Sequence, residues 1–126
     1  ITDVDGQVVF NLPDQPYKVR VDYLGYQFWS DVFQSTNKTV TIDHGLARVH
    51  TQRSGVDLAG ARVYLYTGAG AYLSWYENTD GLGAAEFLLP DLSYKFRADE
   101  NGDQVWSDAV EILPGVENTV EIDLNQ

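Results

Sequence analysis

The chain has 126 residues, 44% of them hydrophobic and 13% aromatic, no Cys or Met, and a formal net charge of −11 from 19 acidic and 8 basic side chains. It is too apolar for a disordered acidic tail and is sized for one compact domain or a domain and a half. Its acidity argues against a surface that neutralises nucleic-acid phosphates, no apolar run reaches the length of a membrane span, and the missing thiols remove disulfides and thiolate metal sites.

Ile1 is not an initiator residue, so a processed or excised piece is expected. Apolar residues recur with period two between Gly, Pro, Asn and Asp punctuation, which predicts strands throughout and no helix. Residues 1–44 are read as four short strands. A tight turn at Leu24-Gly25 pairs Asp22 with Gln27, Arg20 with Trp29 and Lys18 with Asp31 on the outward face. Tyr17, Val19, Val21 and Phe28 then face a core. Residues 45–126 predict seven strands: 46–52, 61–66, 72–78, 84–89, 94–100, 103–111 and 118–124. The Asn101-Gly102 turn pairs Asp99 with Gln104, Arg97 with Trp106 and Lys95 with Asp108, with Tyr94, Phe96, Ala98 and Val105 inward.

The two hairpins belong to an internal repeat. Thr2-Asp3, Gly6, Phe10 and Leu12-Pro13-Asp14 return as Thr79-Asp80, Gly83, Phe87 and Leu89-Pro90-Asp91 at an offset of 77, and sixteen of thirty aligned positions are identical. After a three-residue slip near Leu113-Pro114-Gly115, Thr39-Val40-Thr41-Ile42-Asp43 matches Thr119-Val120-Glu121-Ile122-Asp123. Residues 45–78 have no counterpart in the first copy. The expected architecture is therefore all-β: one whole antiparallel β-sandwich module over 45–126, preceded by the C-terminal half of another over 1–44, joined at His44-Gly45.

Leu58-Ala59-Gly60-Ala61-Arg62-Val63-Tyr64-Leu65-Tyr66, Thr79-Asp80 with Gly83 and Phe87, Leu89-Pro90-Asp91 and Tyr94-Lys95-Phe96-Arg97-Ala98 resemble the prealbumin-like repeats of bacterial surface proteins, including collagen-adhesin B-type and carboxypeptidase-regulatory-like domains. The resemblance implies immunoglobulin-like sandwiches in tandem, an extracellular or cell-surface location, and a mechanical or adhesive role without catalysis. The family's intramolecular isopeptide bond needs a Lys in the first strand. Here that strand reads Leu46-Ala47-Arg48-Val49-His50-Thr51-Gln52, and a guanidinium is never the neutral nucleophile, so no crosslink is expected.

Other chemistry is sparse. Asp3-Val4-Asp5-Gly6 looks like the start of a calcium loop, but the second copy reads Asp80-Gly81-Leu82-Gly83, and an Asx-type turn is the preferred reading. His44 and His50 lack a second His at metal spacing, and no Ser sits in a nucleophile elbow. No catalytic, cofactor or metal site is expected. Tyr23, Tyr26 and Phe28, with Tyr72, Trp75 and Tyr76, are candidate interface or glycan-stacking rings, while Arg20–Trp29 and Arg97–Trp106 are structural pairs. The sequence thus predicts a non-enzymatic repeat of a stalk, fibre or adhesin, assembling head to tail with copies of itself or adjacent repeats. A glycan-binding module is the alternative. Residues 1–44 are not expected to fold alone, because Val8, Phe10, Val19, Val21 and Phe28 lack a facing sheet.

Overall fold

The computed structural model describes residues 6–10, 12–34 and 38–124. Its described residues are all-β, and the chain divides into two compact units, Ile1–Thr41 and Ile42–Gln126. The first unit contains β1 (Pro16–Tyr17), β2 (Arg20–Tyr23), β3 (Tyr26–Trp29) and β4 (Phe33–Gln34). The second contains β5 (His44–Arg53), β6 (Val56–Asp57), β7 (Arg62–Thr67), β8 (Tyr72–Asn78), β9 (Ala84–Pro90), β10 (Ser93–Glu100), β11 (Asp103–Trp106), β12 (Val110–Glu111) and β13 (Glu117–Asp123).

The second unit is a two-sheet sandwich. In one sheet β7 lies between β8 and β10, and β11 and β12 share the free side of β10. In the other, β5 is central, with β13 on one side and β9 and β6 on the other. Alternation decides what is buried. Ala47, Val49 and Thr51 of β5, Phe87 and Leu89 of β9, and Val120 and Ile122 of β13 turn inward toward Val63 and Leu65 of β7 and Tyr94, Phe96 and Ala98 of β10. The rings of Phe87 and Phe96, one from each sheet, meet with centroids 5.4 Å apart.

One pairing is not antiparallel: β13 runs parallel to β5, Glu117 beside Leu46 and Asp123 beside Gln52. The crossover from β12 explains it. Asn118 Oδ1 accepts from the Leu113 amide at 3.0 Å, and its Nδ2 donates to the carbonyls of Leu46 and Leu113, both at 3.1 Å. The Leu46 amide donates to Val116 O at 3.1 Å and the Gly115 amide to His44 O at 3.0 Å. The chain is thereby delivered to the start of β5 and can only run alongside it.

The strand expected over 103–111 is broken. Ser107 N donates to Phe96 O at 2.8 Å while Ser107 Oγ accepts from Phe96 N at 3.0 Å, so one residue supplies both ladder contacts. β11 stops at Trp106, and pairing resumes one residue out of step as Tyr94↔Val110. Ser30 does the same with Val19 in the first unit, and Tyr17↔Phe33 resumes the ladder. The expected pairs Lys95–Asp108 and Lys18–Asp31 therefore fall outside the ladders, and Asp31 lies 4.0 Å from Lys38 instead.

The first unit repeats the hairpin but not its cover. None of its described residues is buried: Phe10 is 60% exposed where its counterpart Phe87 is 1%, and Leu12 is 50% exposed where Leu89 is 0%. Of the four strands expected in 1–44, the described residues of the first unit form only the hairpin, and each of its arms is split in two. Residues 7–10, 12–13 and 38–43, which correspond to β9 and β13, form no strand. In the second unit β9 and β13 both pair with β5, and no described residues of the first unit form an equivalent of β5.

Three turns use two successive left-handed residues, as hairpin twist requires: Leu24-Gly25 (φ 49° and 75°), Ser54-Gly55 (53° and 79°) and Asn101-Gly102 (51° and 83°). Leucine is the costly member, because its Cβ meets the following carbonyl there at about 1–2 kcal/mol. Leu24→Asn is expected to stabilise the β2–β3 hairpin by about 1 kcal/mol, slowing its amide exchange roughly fivefold. Unchanged or faster exchange at Val21 and Phe28 would contradict this turn geometry.

Candidate functional site

The outer face of the β8–β7–β10–β11 sheet collects most of the aromatic side chains of the second unit. Alternation on β7 places Arg62, Tyr64 and Tyr66 on the outer side of the sheet, where Tyr66 is covered by its neighbours and only 9% exposed. On β8, Tyr76 stands opposite Tyr64 and Tyr72 opposite Tyr66, so three residues of β8 face the single residue Leu65. Ser74, at φ 58°, absorbs the excess as a bulge. The two extra residues preserve parity and keep Tyr72 and Tyr76 on one face. β10 adds Arg97 and β11 adds Trp106.

The rings form a continuous path. Trp106 lies 4.5 Å from Tyr66, Tyr66 5.3 Å from Tyr72, Tyr72 5.8 Å from Tyr64 and Tyr64 5.6 Å from Tyr76, centroid to centroid. Tyr72 and Tyr76 are each 45% exposed and Trp106 47%. The Arg97 guanidinium lies 4.8 Å from the Tyr64 ring and 5.7 Å from those of Tyr66 and Trp106, with Nε and Nη2 donating to Asp99 at 2.8 and 2.9 Å. Those bonds to Asp99 raise its pKa. Arg62 covers Tyr76 at 4.6 Å. Each cation–π contact at such a site contributes about 0.5–1 kcal/mol. Beside Tyr64 an open groove of about 430 Å³ is lined by Arg62, Asp99, Asn101, Asp103 and Gln104, among others.

Among the candidate rings, Tyr72 and Tyr76 are brought together and Trp75 is not. One residue out of phase, Trp75 turns inward, 5.1 Å from the Phe87 ring, with Nε1 donating to Glu77 at 2.8 Å. Tyr23 and Tyr26 face each other at the end of the first hairpin, on the same side as Val21 and Phe28. The opposite side carries Arg20 and Trp29, 5.9 Å from guanidinium to ring, with Arg20 bonded to Asp22 at 2.9 Å. Tyr64, Tyr66 and Arg62 are missing from the set expected from the sequence, although their i, i+2, i+4 spacing on one strand places them on a single face.

The opposite sheet carries a polar network on its outer side. Arg48 points away from the core and pairs with Glu86 at 3.3 Å. His50 is held between Glu121 (Nδ1, 2.6 Å) and Asp57 (Nε2, 2.7 Å), and the hydrogen bonds to Glu121 and Asp57 raise its pKa above 6.5. A raised folded pKa contributes stability that is fully present below about pH 6.5 and is lost as pH climbs through the folded value. His50→Gln is expected to remove this part of the pH dependence. Urea midpoints of the two proteins should converge as pH rises above neutrality, and parallel curves from pH 5 to 9 would contradict protonation of His50.

Asp80 caps its turn: Oδ1 accepts from the Leu82 and Ala84 amides at 2.9 and 3.0 Å, and these bonds lower its pKa. Asp3 and Asp5 of the calcium-like segment lie outside the described residues. Among the described residues no group of three His, Cys, Asp or Glu side chains is placed to hold a metal ion, and no helix is long and apolar enough to cross a membrane. His44 Nδ1 lies 2.8 Å from the Ile42 carbonyl oxygen.

Fold and face together define an all-β protein whose second unit is a two-sheet sandwich with an aromatic outer surface. No protein-family model and no curated protein sequence matches the chain. Among solved structures it is similar to the Bacillus anthracis TIE protein, at 18% identity and a TM-score of 0.49 over 98% of this chain. It spans 27% of that protein's chain.

Proposed function

We propose that the chain is a non-catalytic structural segment of an extracellular or cell-surface protein, built from prealbumin-like sandwich modules joined in series. In this reading residues 1–41 are the second half of one module and residues 42–126 are the next, complete one. A single observation carries it: the same hairpin, with the same turn, register and serine bulge, occurs once beneath a full sheet and once uncovered, and the two segments left without strand pairing are those that would flank an equivalent of β5. An uncovered apolar sheet face and unpaired strand segments template association, which favours completion by strands equivalent to β5, β7 and β8. The resemblance of the Leu58–Tyr66 and Thr79–Ala98 segments to surface-protein repeats supports the extracellular setting and head-to-tail neighbours.

The chain supplies its own test. Residues 42–78 placed directly ahead of Thr2 recreate the order seen in the second unit. The extended protein is expected to show slow amide exchange at residues 7–10 and 19–21, matching 84–87 and 96–98, and an additional cooperative transition. Exchange at these amides as fast as in the original chain would refute the module reading.

A further inference from the structure

We infer that like charges on the open edge of β13 keep two copies of this chain from joining sheet to sheet, and that this edge pairs antiparallel with β13 of a second copy once those charges are made complementary. The inference concerns the second unit and is independent of the module reading above. β13 is the last strand of its sheet, with β5 on one side and no described strand on the other. Val116 O accepts from the Leu46 amide and the Leu124 amide donates to Gln52 O, so the even-numbered residues turn their backbone groups to β5. Those groups point to opposite sides at successive residues, and the N–H and C=O of Glu117, Thr119, Glu121 and Asp123 therefore face away from β5. Such an edge is a template for another strand.

The other outer strands of this unit are blunted by their backbones. On β9, the bonds from Thr51 N to Gly83 O and from Asp91 N to Asp43 O assign the odd residues to β5, which leaves positions 84, 86, 88 and 90 for the edge. Ala84 gives its amide to Asp80 Oδ1, and position 90 is a proline without one. β8 is bulged at Ser74, β6 has two residues, and the far side of β10 is divided between β11 and β12 by Ser107. β13 has none of these devices: its seven residues pair with β5 without a break in register. It has charge instead. The exposed side chains of the same four residues carry three carboxylates. Two copies of β13 paired antiparallel about Val120 would bring their outward backbone groups together and oppose Glu117 to Asp123 at both ends of the contact. Directly opposed like charges destabilise a strand pair. A slide of two residues sets Glu117 against Glu121 or Glu121 against its own copy, and longer slides leave only short overlaps.

Sedimentation velocity and amide exchange on the full chain test this. Glu121 stays in place, because it is bonded to His50. Glu117→Lys and Asp123→Lys each turn both Glu117–Asp123 oppositions into opposite-charge pairs, and each is expected to tighten self-association by about tenfold or more over the unsubstituted chain and to slow exchange at the Thr119 and Glu121 amides. The double variant Glu117→Lys/Asp123→Lys sets lysine against lysine and is expected to associate no more than the unsubstituted chain. Thr119→Pro added to Glu117→Lys removes one outward amide without touching the β5 ladder, and is expected to abolish the gain. Asp108→Lys, the same charge change outside β13, is expected to have no effect. Should a lysine variant lose its thermal transition, Glu117→Gln/Asp123→Asn replaces it, with a several-fold gain expected. No gain from either single lysine variant, an equal gain from Asp108→Lys, or association that persists in the double lysine or proline variant would overturn the inference. So would slow exchange at Thr119 in the unsubstituted chain that Thr119→Asp relieves, since the edge would then be closed despite its charge.

Discussion

Phe87→Ala is expected to destabilise the second unit by about 3–5 kcal/mol, whereas Phe10→Ala, the same change at the equivalent position 77 residues earlier, costs under about 1 kcal/mol. The side chains are identical and their local sequences closely similar, so propensity cannot separate them. Burial does. Phe87 is 1% exposed between Trp75 and Phe96, at 5.1 and 5.4 Å, and its loss leaves a cavity that both sheets line. Phe10 is 60% exposed, so truncation there removes little surface that folding had taken from water. Urea unfolding of the two variants measures the contrast. Similar losses would mean that Phe10 is covered in solution by a partner, and the uncovered state of the first unit would have to be abandoned.

Gly83→Ala is expected to cost about 2–5 kcal/mol, from two additive sources. The residue sits at φ 76°, where an L side chain costs about 1–2 kcal/mol. Its Cβ would also stand 2.5 Å from Thr51 O and 3.1 Å from Leu58 N, both backbone atoms held in place because the Leu58 amide donates to Thr51 O at 3.1 Å. Moving them strains β5, at a further cost of about 1–3 kcal/mol. Gly6, its counterpart, shares the backbone conformation at φ 75°, but a methyl group added there would meet nothing within 4 Å, so Gly6→Ala carries only the conformational cost of about 1–2 kcal/mol. Thermal midpoints of the two variants separate the terms. Equal shifts would show that the close approach to Thr51 relaxes without cost.

Much of the second unit is legible in its sequence because its signals are local. Asn101-Gly102 tolerates left-handed geometry at both positions, so counting outward from it reaches Arg97 opposite Trp106. The direction of β13 is not legible in this way. Val120, Ile122 and Leu124 alternate identically whichever way the strand runs, and the choice is made by Asn118 reaching Leu46, 72 residues away. The Ser107 bulge hides for another reason, since serine is an ordinary strand-end residue and only its side chain's capture of the Phe96 amide shows what it does. For the aromatic face, parity alone places Tyr72 and Tyr76 together and Trp75 apart. Its full extent depends on β7 lying between β8 and β10, a long-range pairing that no short window contains. The same holds for His50, whose two carboxylate partners lie 7 and 71 residues away.

The parallel pairing of β5 and β13 has a mechanical consequence. The polypeptide comes into this sheet beside residue 44 and leaves it beside residue 124, at opposite ends of a ladder running from Glu117–Leu46 to Asp123–Gln52, about 20 Å long at 3.3 Å per residue. Tension applied through these two points acts along the strands, so the hydrogen bonds of the ladder are sheared together instead of being peeled apart one at a time. Tension applied between Asn101 and residue 124 has no such geometry, because it lifts the β10–β11 hairpin from its turn. Single-molecule pulling through residues 42 and 124 is therefore expected to require a higher rupture force than pulling through 101 and 124 at the same loading rate, since forced unfolding reports the barrier along the imposed direction rather than the equilibrium stability. Equal forces would mean that the two strands part by some route other than shear. With the expected order, resistance to extension is a property of strand direction and not of core size.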